Sequence, residues 1–116
     1  MRNIKMNQMY RHFKGANYFT LAVSEPVSTI NIIGKLRFVK VRDTETDKEF
    51  DVLINPINGK AIHNESINDK KLIIYRDAYK NTDIIWAREY EMFAERLHID
   101  QYPDHEDEYR FEEVEL

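Results

Sequence analysis

The side chains with the clearest chemical potential are Arg11, His12, Lys14, Arg76 and Arg88, interspersed with Tyr10, Tyr18, Tyr75, Tyr79 and Trp86. A guanidinium grips a phosphate through two parallel hydrogen bonds, and a flat ring offers a face on which a base stacks. Gathered by folding, these residues would form a socket for a small anionic, nucleotide-like ligand. In that arrangement Arg11, Arg76 and Arg88 clamp phosphate beside Lys14, Tyr75 and Trp86 stack, and His12 or His63 orients the ligand. The same residue types also serve structure. Tyrosine and tryptophan fill small cores, arginines lie over them by cation–π contact, and histidines hold turns.

Catalytic chemistry has less to work with. His12 and His63 could move protons if paired with Glu65. Ser24, Ser28 and Ser66 have no nucleophile-elbow context, and the chain has no cysteine. His98 and His105 stand among Asp100, Asp104, Glu106 and Asp107, but at no recognised metal-ligand spacing, so this stretch reads as a solvated acidic tail. Gly15, Gly34 and Gly59 are too far apart for a phosphate loop. The expectation is a binding module with no catalytic residues, no metal and no cofactor.

The elements that would position these groups are mostly strands. YFTLAV, 18–23, is rich in aromatic and β-branched residues and predicts a strand that Glu25-Pro26 interrupts. A second β region is expected over Thr29–Ile33. In KLRFVKVRD, Leu36 and Phe38 share one face and Val39 and Val41 the other, the pattern of a strand partly buried on both sides or carrying a bulge. TETDK, 44–48, is a polar turn before EFDVLIN, so the two runs predict a β-hairpin. Pro56 and Asn58-Gly59 mark another turn, and KKLIIYRDAY and IIWAR are further strands. Tyr90, Phe93, Ala94 and Leu97 then recur at helical spacing and predict a short amphipathic helix. YRFEEVEL could add an edge strand.

With 116 residues, 42% of them hydrophobic, the chain suits one domain with a single modest core. No run approaches the roughly 18 apolar residues of a membrane span, and the first residues lack the apolar stretch of a secretory signal. A cytoplasmic protein with no membrane contact is expected. The net charge of −4 hides an asymmetry: residues 1–42 hold eight Lys or Arg against one acid, and residues 89–116 eleven acids against two arginines. The two ends are expected to attract each other, in one chain or between copies. The negative total disfavours extended nucleic acid, which needs a positive footprint.

Tyr10-Arg11-His12-Phe13-Lys14-Gly15 leading into the 18–23 strand, then Ala61-Ile62-His63-Asn64-Glu65-Ser66, Ile73-Ile74-Tyr75-Arg76, Trp86-Ala87-Arg88 and Met92-Phe93, resembles the signature of a family of small bacterial and phage domains of unknown function. Glu89 stands where that family usually has proline. The resemblance covers 10–23 and 61–97 and implies a mainly β fold, a small SH3-like β-barrel or rolled sheet with one short helix. Residues 24–60 then form an insertion carrying the hairpin, and 98–116 an acidic tail. It implies no chemistry. A phage member of this design could sequester a cyclic-nucleotide immune signal in the host cytoplasm. Two alternatives stand beside ligand binding: an interaction adaptor or homo-oligomeric module using exposed strand edges, and a small nucleotide hydrolase.

Overall fold

In a computed structural model of the chain, residues 2–30, 36–98, 100–104 and 106–115 are described. Eight strands and one helix follow in the order β1 (Met9–His12), β2 (Asn17–Val27), β3 (Arg37–Asp43), β4 (Glu49–Ile54), β5 (Lys60–Asn64), β6 (Leu72–Asp77), β7 (Trp86–Glu89), α1 (Tyr90–Ala94) and β8 (Phe111–Glu113). The sheet order is β5-β4-β3-β7-β6-β2-β1-β8, and β2 also pairs with β5. That last pairing closes six strands into a barrel, with β1 and β8 as an extension. Closure depends on the length of β2. Its first residues pair with β1 and its last, Val23–Val27, run parallel to β5 along the same edge, while β6 holds the opposite edge.

Two apolar clusters lie on either side of the barrel wall. Ala22, Val41, Phe50, Val52, Ala61, Leu72, Ile74 and Ala87 fill the interior. Outside the wall, Ile4, Tyr10, Ile73, Tyr75, Tyr90, Phe93, Ala94 and Phe111 form a second cluster beneath α1 and β8. Strand β6 is buried on both faces because alternate residues serve the two clusters. A register shift in β2 between Thr20 and Ala22 lets Tyr18 and Thr20 face the outer cluster while Ala22 and Ser24 face inward.

The mainly β expectation, the small barrel and the single short helix match the structure. So do the 44–48 hairpin, joining β3 to β4, and the turn around Asn58-Gly59, joining β4 to β5. Strand β2 runs through Pro26 instead of stopping. Its pairing with β6 ends at Ser24, so proline sits where β2 has one neighbour only. Strand β3 has no bulge and turns only Val39 and Val41 to the core, leaving Phe38 64% exposed. The expected β region at Thr29–Ile33 falls mostly outside the described residues, and Thr29 and Ile30 are not in a strand. The helix ends at Ala94 rather than Leu97, because the chain turns to meet the tail: Arg96 bridges Tyr109 and the Leu97 N–H donates to the Glu108 carbonyl at 3.0 Å. The tail is therefore folded back rather than free. Phe111 is buried, Lys5 meets Glu113 at 3.0 Å and Arg11 meets Asp107 at 3.1 Å, so the basic and acidic ends join within one chain.

Candidate anion site around Arg88

Strand register sorts the expected site residues onto two faces. Tyr10 pairs with Tyr18, Thr20 with Tyr75, Tyr75 with Trp86 and Ile73 with Arg88. These residues and His12, two positions after Tyr10, share the outer face of the wall. Arg11 pairs with Asn17 and Arg76 with Phe19, which places both on the reverse face. The guanidinium of Arg76 lies 5.8 Å from the Phe19 ring centre. The three arginines therefore do not converge. The odd-even alternation of strands assigns Arg11 and Arg76 away from Arg88, whatever their separation in sequence.

What does gather is Arg88 with aromatic rings. The sheet curls so that Phe111 of β8 comes over the wall, and Arg88 lies 5.3 Å from its ring centre. Phe111 stacks on Phe93 at 4.0 Å and meets the edges of His12, Tyr18 and Tyr75 at 5.0, 5.9 and 6.1 Å. Tyr75 is only 2% exposed, so it cannot offer a stacking face. Its hydroxyl instead lies against Arg88: burial pushes the phenol up to about 12, and the arginine partly offsets that rise. Trp86, half-buried on the same face, keeps part of its ring in contact with water.

Among the described residues Arg88 has no carboxylate partner, and its Nε is buried with no hydrogen-bond acceptor. The surroundings are electropositive. His12 is pushed down to about 4 by burial, then by Arg88, Arg110 and Lys14. Its Nδ1 accepts the Lys14 backbone N–H at 3.2 Å, so the neutral ring carries its proton on Nε2 and presents a donor. Gly15, at φ +107, makes the turn that folds Lys14 back beside His12. Arg110 is already engaged by Glu95 at 2.7 Å, which leaves Arg88 and the exposed Lys14 here without a carboxylate partner among the described residues.

His63 sits elsewhere. It is fully buried in the barrel, where its Nδ1 meets Ser24 Oγ at 2.6 Å and its Nε2 the Asn68 carbonyl at 2.9 Å. The carbonyl can only accept, so Nε2 carries the proton and Nδ1 accepts from the serine. Burial lowers the pKa of this ring, with partial compensation from the Asn68 contact. His63 ties β5 to β2 and to the following turn, the structural role weighed for it above, and is remote from Arg88 in fold.

Sequence reasoning missed Phe111 and Arg110, which lie in what reads as tail. A visible signal existed: YRF interrupts an acidic run with the residue types of a strand. His105 lies outside the described residues. Among the described residues no three metal-ligating side chains cluster, and no helix is long and apolar enough to cross a membrane. No curated protein matches the chain, and no solved structure does. Residues 57–113, which carry His63, Tyr75, Arg76, Trp86, Arg88 and Phe111 but not the Tyr10–Gly15 stretch, match a family described as a protein of unknown function, DUF1653.

Proposed function

We propose that this chain is a non-enzymatic binding module for a small anion bearing a flat ring, a nucleotide-like ligand held at Arg88. The observation that supports it is a half-buried guanidinium with no carboxylate partner among the described residues, beside a His12 ring that burial first, and the neighbouring cations second, hold down to about 4. A cation withdrawn from water without an anion is costly, and an incoming oxyanion supplies the missing partner. Arg88 takes the anionic oxygens, His12 Nε2–H and Lys14 add donors, and the open part of Trp86 takes the ring. Tyr75 and Phe111 hold Arg88 in place rather than stack. With Arg11 and Arg76 on the reverse face, the site suits one phosphate or carboxylate group rather than a long polyphosphate. Sequestration of a cyclic nucleotide by a phage-encoded protein is the finer form of this reading.

A thermal-shift panel of mono-, di- and cyclic nucleotides tests it, since a ligand that binds only the folded state raises the melting temperature. A ligand at a hundred times its Kd adds about 2.7 kcal/mol. Arg88→Ala should abolish the shift and Arg76→Ala should leave it intact. Recovery of unaltered ligand from the complex separates binding from hydrolysis. A flat response across the panel removes the proposal.

A second reading, an interaction module, draws on β3, which among the described residues pairs with β7 only at Arg42 and Asp43 along one edge and carries the exposed Phe38. Sedimentation of wild type and Phe38→Lys over a concentration series tests it. Identical monomeric behaviour removes self-pairing as the use of this edge.

A further inference from the structure

Three polar side chains rest against the Phe111 ring. Arg88 lies 5.3 Å from its centre, and the rings of His12 and Tyr18 meet it edge-on at 5.0 and 5.9 Å. Arg88 and His12 have roles in the proposed site, and Tyr18 has none so far. Within β2, Tyr18 pairs with Tyr10 of β1 on one side and Asp77 of β6 on the other, so strand alternation sets its side chain on the outer face. A second ring contact fixes it there. Tyr18 stands perpendicular to Tyr75 at 5.3 Å, and the Tyr75 hydroxyl lies against Arg88. The charge of Arg88 also acts on the Tyr18 phenol, partly offsetting the rise that burial and then Asp77 cause.

The hydroxyl sets Tyr18 apart from other tyrosines of the fold. Tyr10 accepts the Lys5 N–H at 2.9 Å, Tyr90 accepts the Ile4 N–H at 2.7 Å, and Tyr79 donates to the Met9 sulfur at 3.6 Å. The Tyr18 hydroxyl has no hydrogen bond to any described residue. Asp77 turns its carboxylate to the N–H groups of Tyr79 and Lys80, at 2.9 and 2.7 Å, instead. Nor is the hydroxyl sealed. The buried side-chain polar atoms without a partner among the described residues are Arg88 Nε and Thr44 Oγ1, and neither the Tyr18 oxygen nor the Arg88 terminal nitrogens join them. Both groups therefore stay in reach of water on one face. Burial holds the phenol above its ordinary value, so at neutral pH Tyr18 keeps its proton and can donate.

We propose that Tyr18 is a specificity-determining residue of the Arg88 site, its hydroxyl donating to a ligand oxygen that the guanidinium does not take. This rests on the binding function proposed above and adds to it the class of anion. A planar carboxylate has two oxygens, and a guanidinium in its two-pronged pairing takes both. A phosphate group carries four oxygens in a tetrahedron, so others remain for a donor beside Arg88. The site therefore selects phosphate over carboxylate.

The test compares wild type, Tyr18→Phe and Arg88→Ala by calorimetry and melting temperature, with adenosine 5′-monophosphate and adenosine 5′-carboxylic acid as probes. Tyr18→Phe keeps the ring against Tyr75 and Phe111 and removes only the hydroxyl. The unliganded variant should melt as wild type does, because that hydroxyl gives up only water. Its affinity for the monophosphate should fall about tenfold or more, the loss expected for one hydrogen bond to a charged group. Its affinity for the carboxylate should stay unchanged. A hydroxyl that serves structure alone would show the reverse, a lower melting temperature with unchanged affinity. If Arg88→Ala abolishes monophosphate binding while Tyr18→Phe binds as wild type, the Arg88 site stands and the role of Tyr18 is overturned. An equal loss for both probes overturns the selection of phosphate. If neither probe binds wild type, the proposed function fails and this inference with it.

Discussion

Two histidines illustrate how environment assigns roles to identical side chains. His63 has both nitrogens satisfied inside the barrel, while His12 lies among three cations at the edge of the outer cluster. Both are held below the ordinary value of 6.5, His12 to about 4. A lowered pKa means the unfolded chain takes up protons that the folded chain refuses. Stability is therefore complete above about pH 6.5 and falls as pH drops toward 4. The slope is at most ~1.4 kcal/mol per pH unit for each histidine, and less for the half-exposed His12. Urea unfolding at a series of pH values should show this loss, with a shallower slope in His12→Gln. An identical slope in the variant contradicts the assignment. His63→Ala strands Ser24 Oγ and the Asn68 carbonyl and should cost about 3 kcal/mol, leaving ligand affinity unchanged. A loss of affinity at full stability would instead put His63 in the site.

At the scale of elements, strand existence was legible and face assignment was not. The alternation in EFDVLIN and the turn TETDK located β3 and β4 because one buried face imposes a period of two. Strands β1 and β5 went unread. MYRH and KAIHN mix basic and small residues, and they become strands by pairing, β1 between β2 and β8 and β5 between β4 and β2. Of the expected site, Arg88, Trp86, Tyr75 and His12 were legible as a group, through residue type and resemblance. That Arg11 and Arg76 belong to the reverse face was not, since it depends on registers between strands far apart in sequence. The outer cluster also makes a prediction at this scale. Phe93 on α1 stacks on Phe111 of β8 at 4.0 Å and meets Tyr10 and Tyr75 edge-on. Phe93→Ala should destabilise the fold by about 3–5 kcal/mol. It should also loosen β8 over Arg88, seen as faster amide exchange from Phe111 to Glu113. Exchange confined to α1 would show that β8 is held independently.

For the whole molecule, charge is separated along the sequence but reunited in the fold. The pairs that join the ends, Lys5 with Glu113 and Arg11 with Asp107, are solvent-exposed, with Lys5 at 63% and Arg11 at 50% side-chain exposure. Such exposed pairs contribute little to stability. Apolar burial of Phe111 and the β1–β8 ladder hold the tail, so unfolding in 0.05 and 1 M salt should give stabilities within about 1 kcal/mol of each other. A larger loss at high salt would mean that charge, not packing, keeps the ends together. The same arrangement leaves Arg88 apart: Glu113, Asp107, Glu108 and Glu95 pair with Lys5, Arg11, Arg96 and Arg110, and among the described residues no ion pair joins a tail carboxylate to the Arg88 guanidinium.

Nuclear magnetic resonance of the arginine Nε–H groups during titration with adenosine 5′-monophosphate addresses that guanidinium most directly. The Arg88 Nε–H and the His12 ring should shift together along one saturating curve, while the Arg76 Nε–H on the opposite face stays still. Saturating shifts at Arg76 with Arg88 unmoved, or no saturation at either, would contradict an anion site at Arg88.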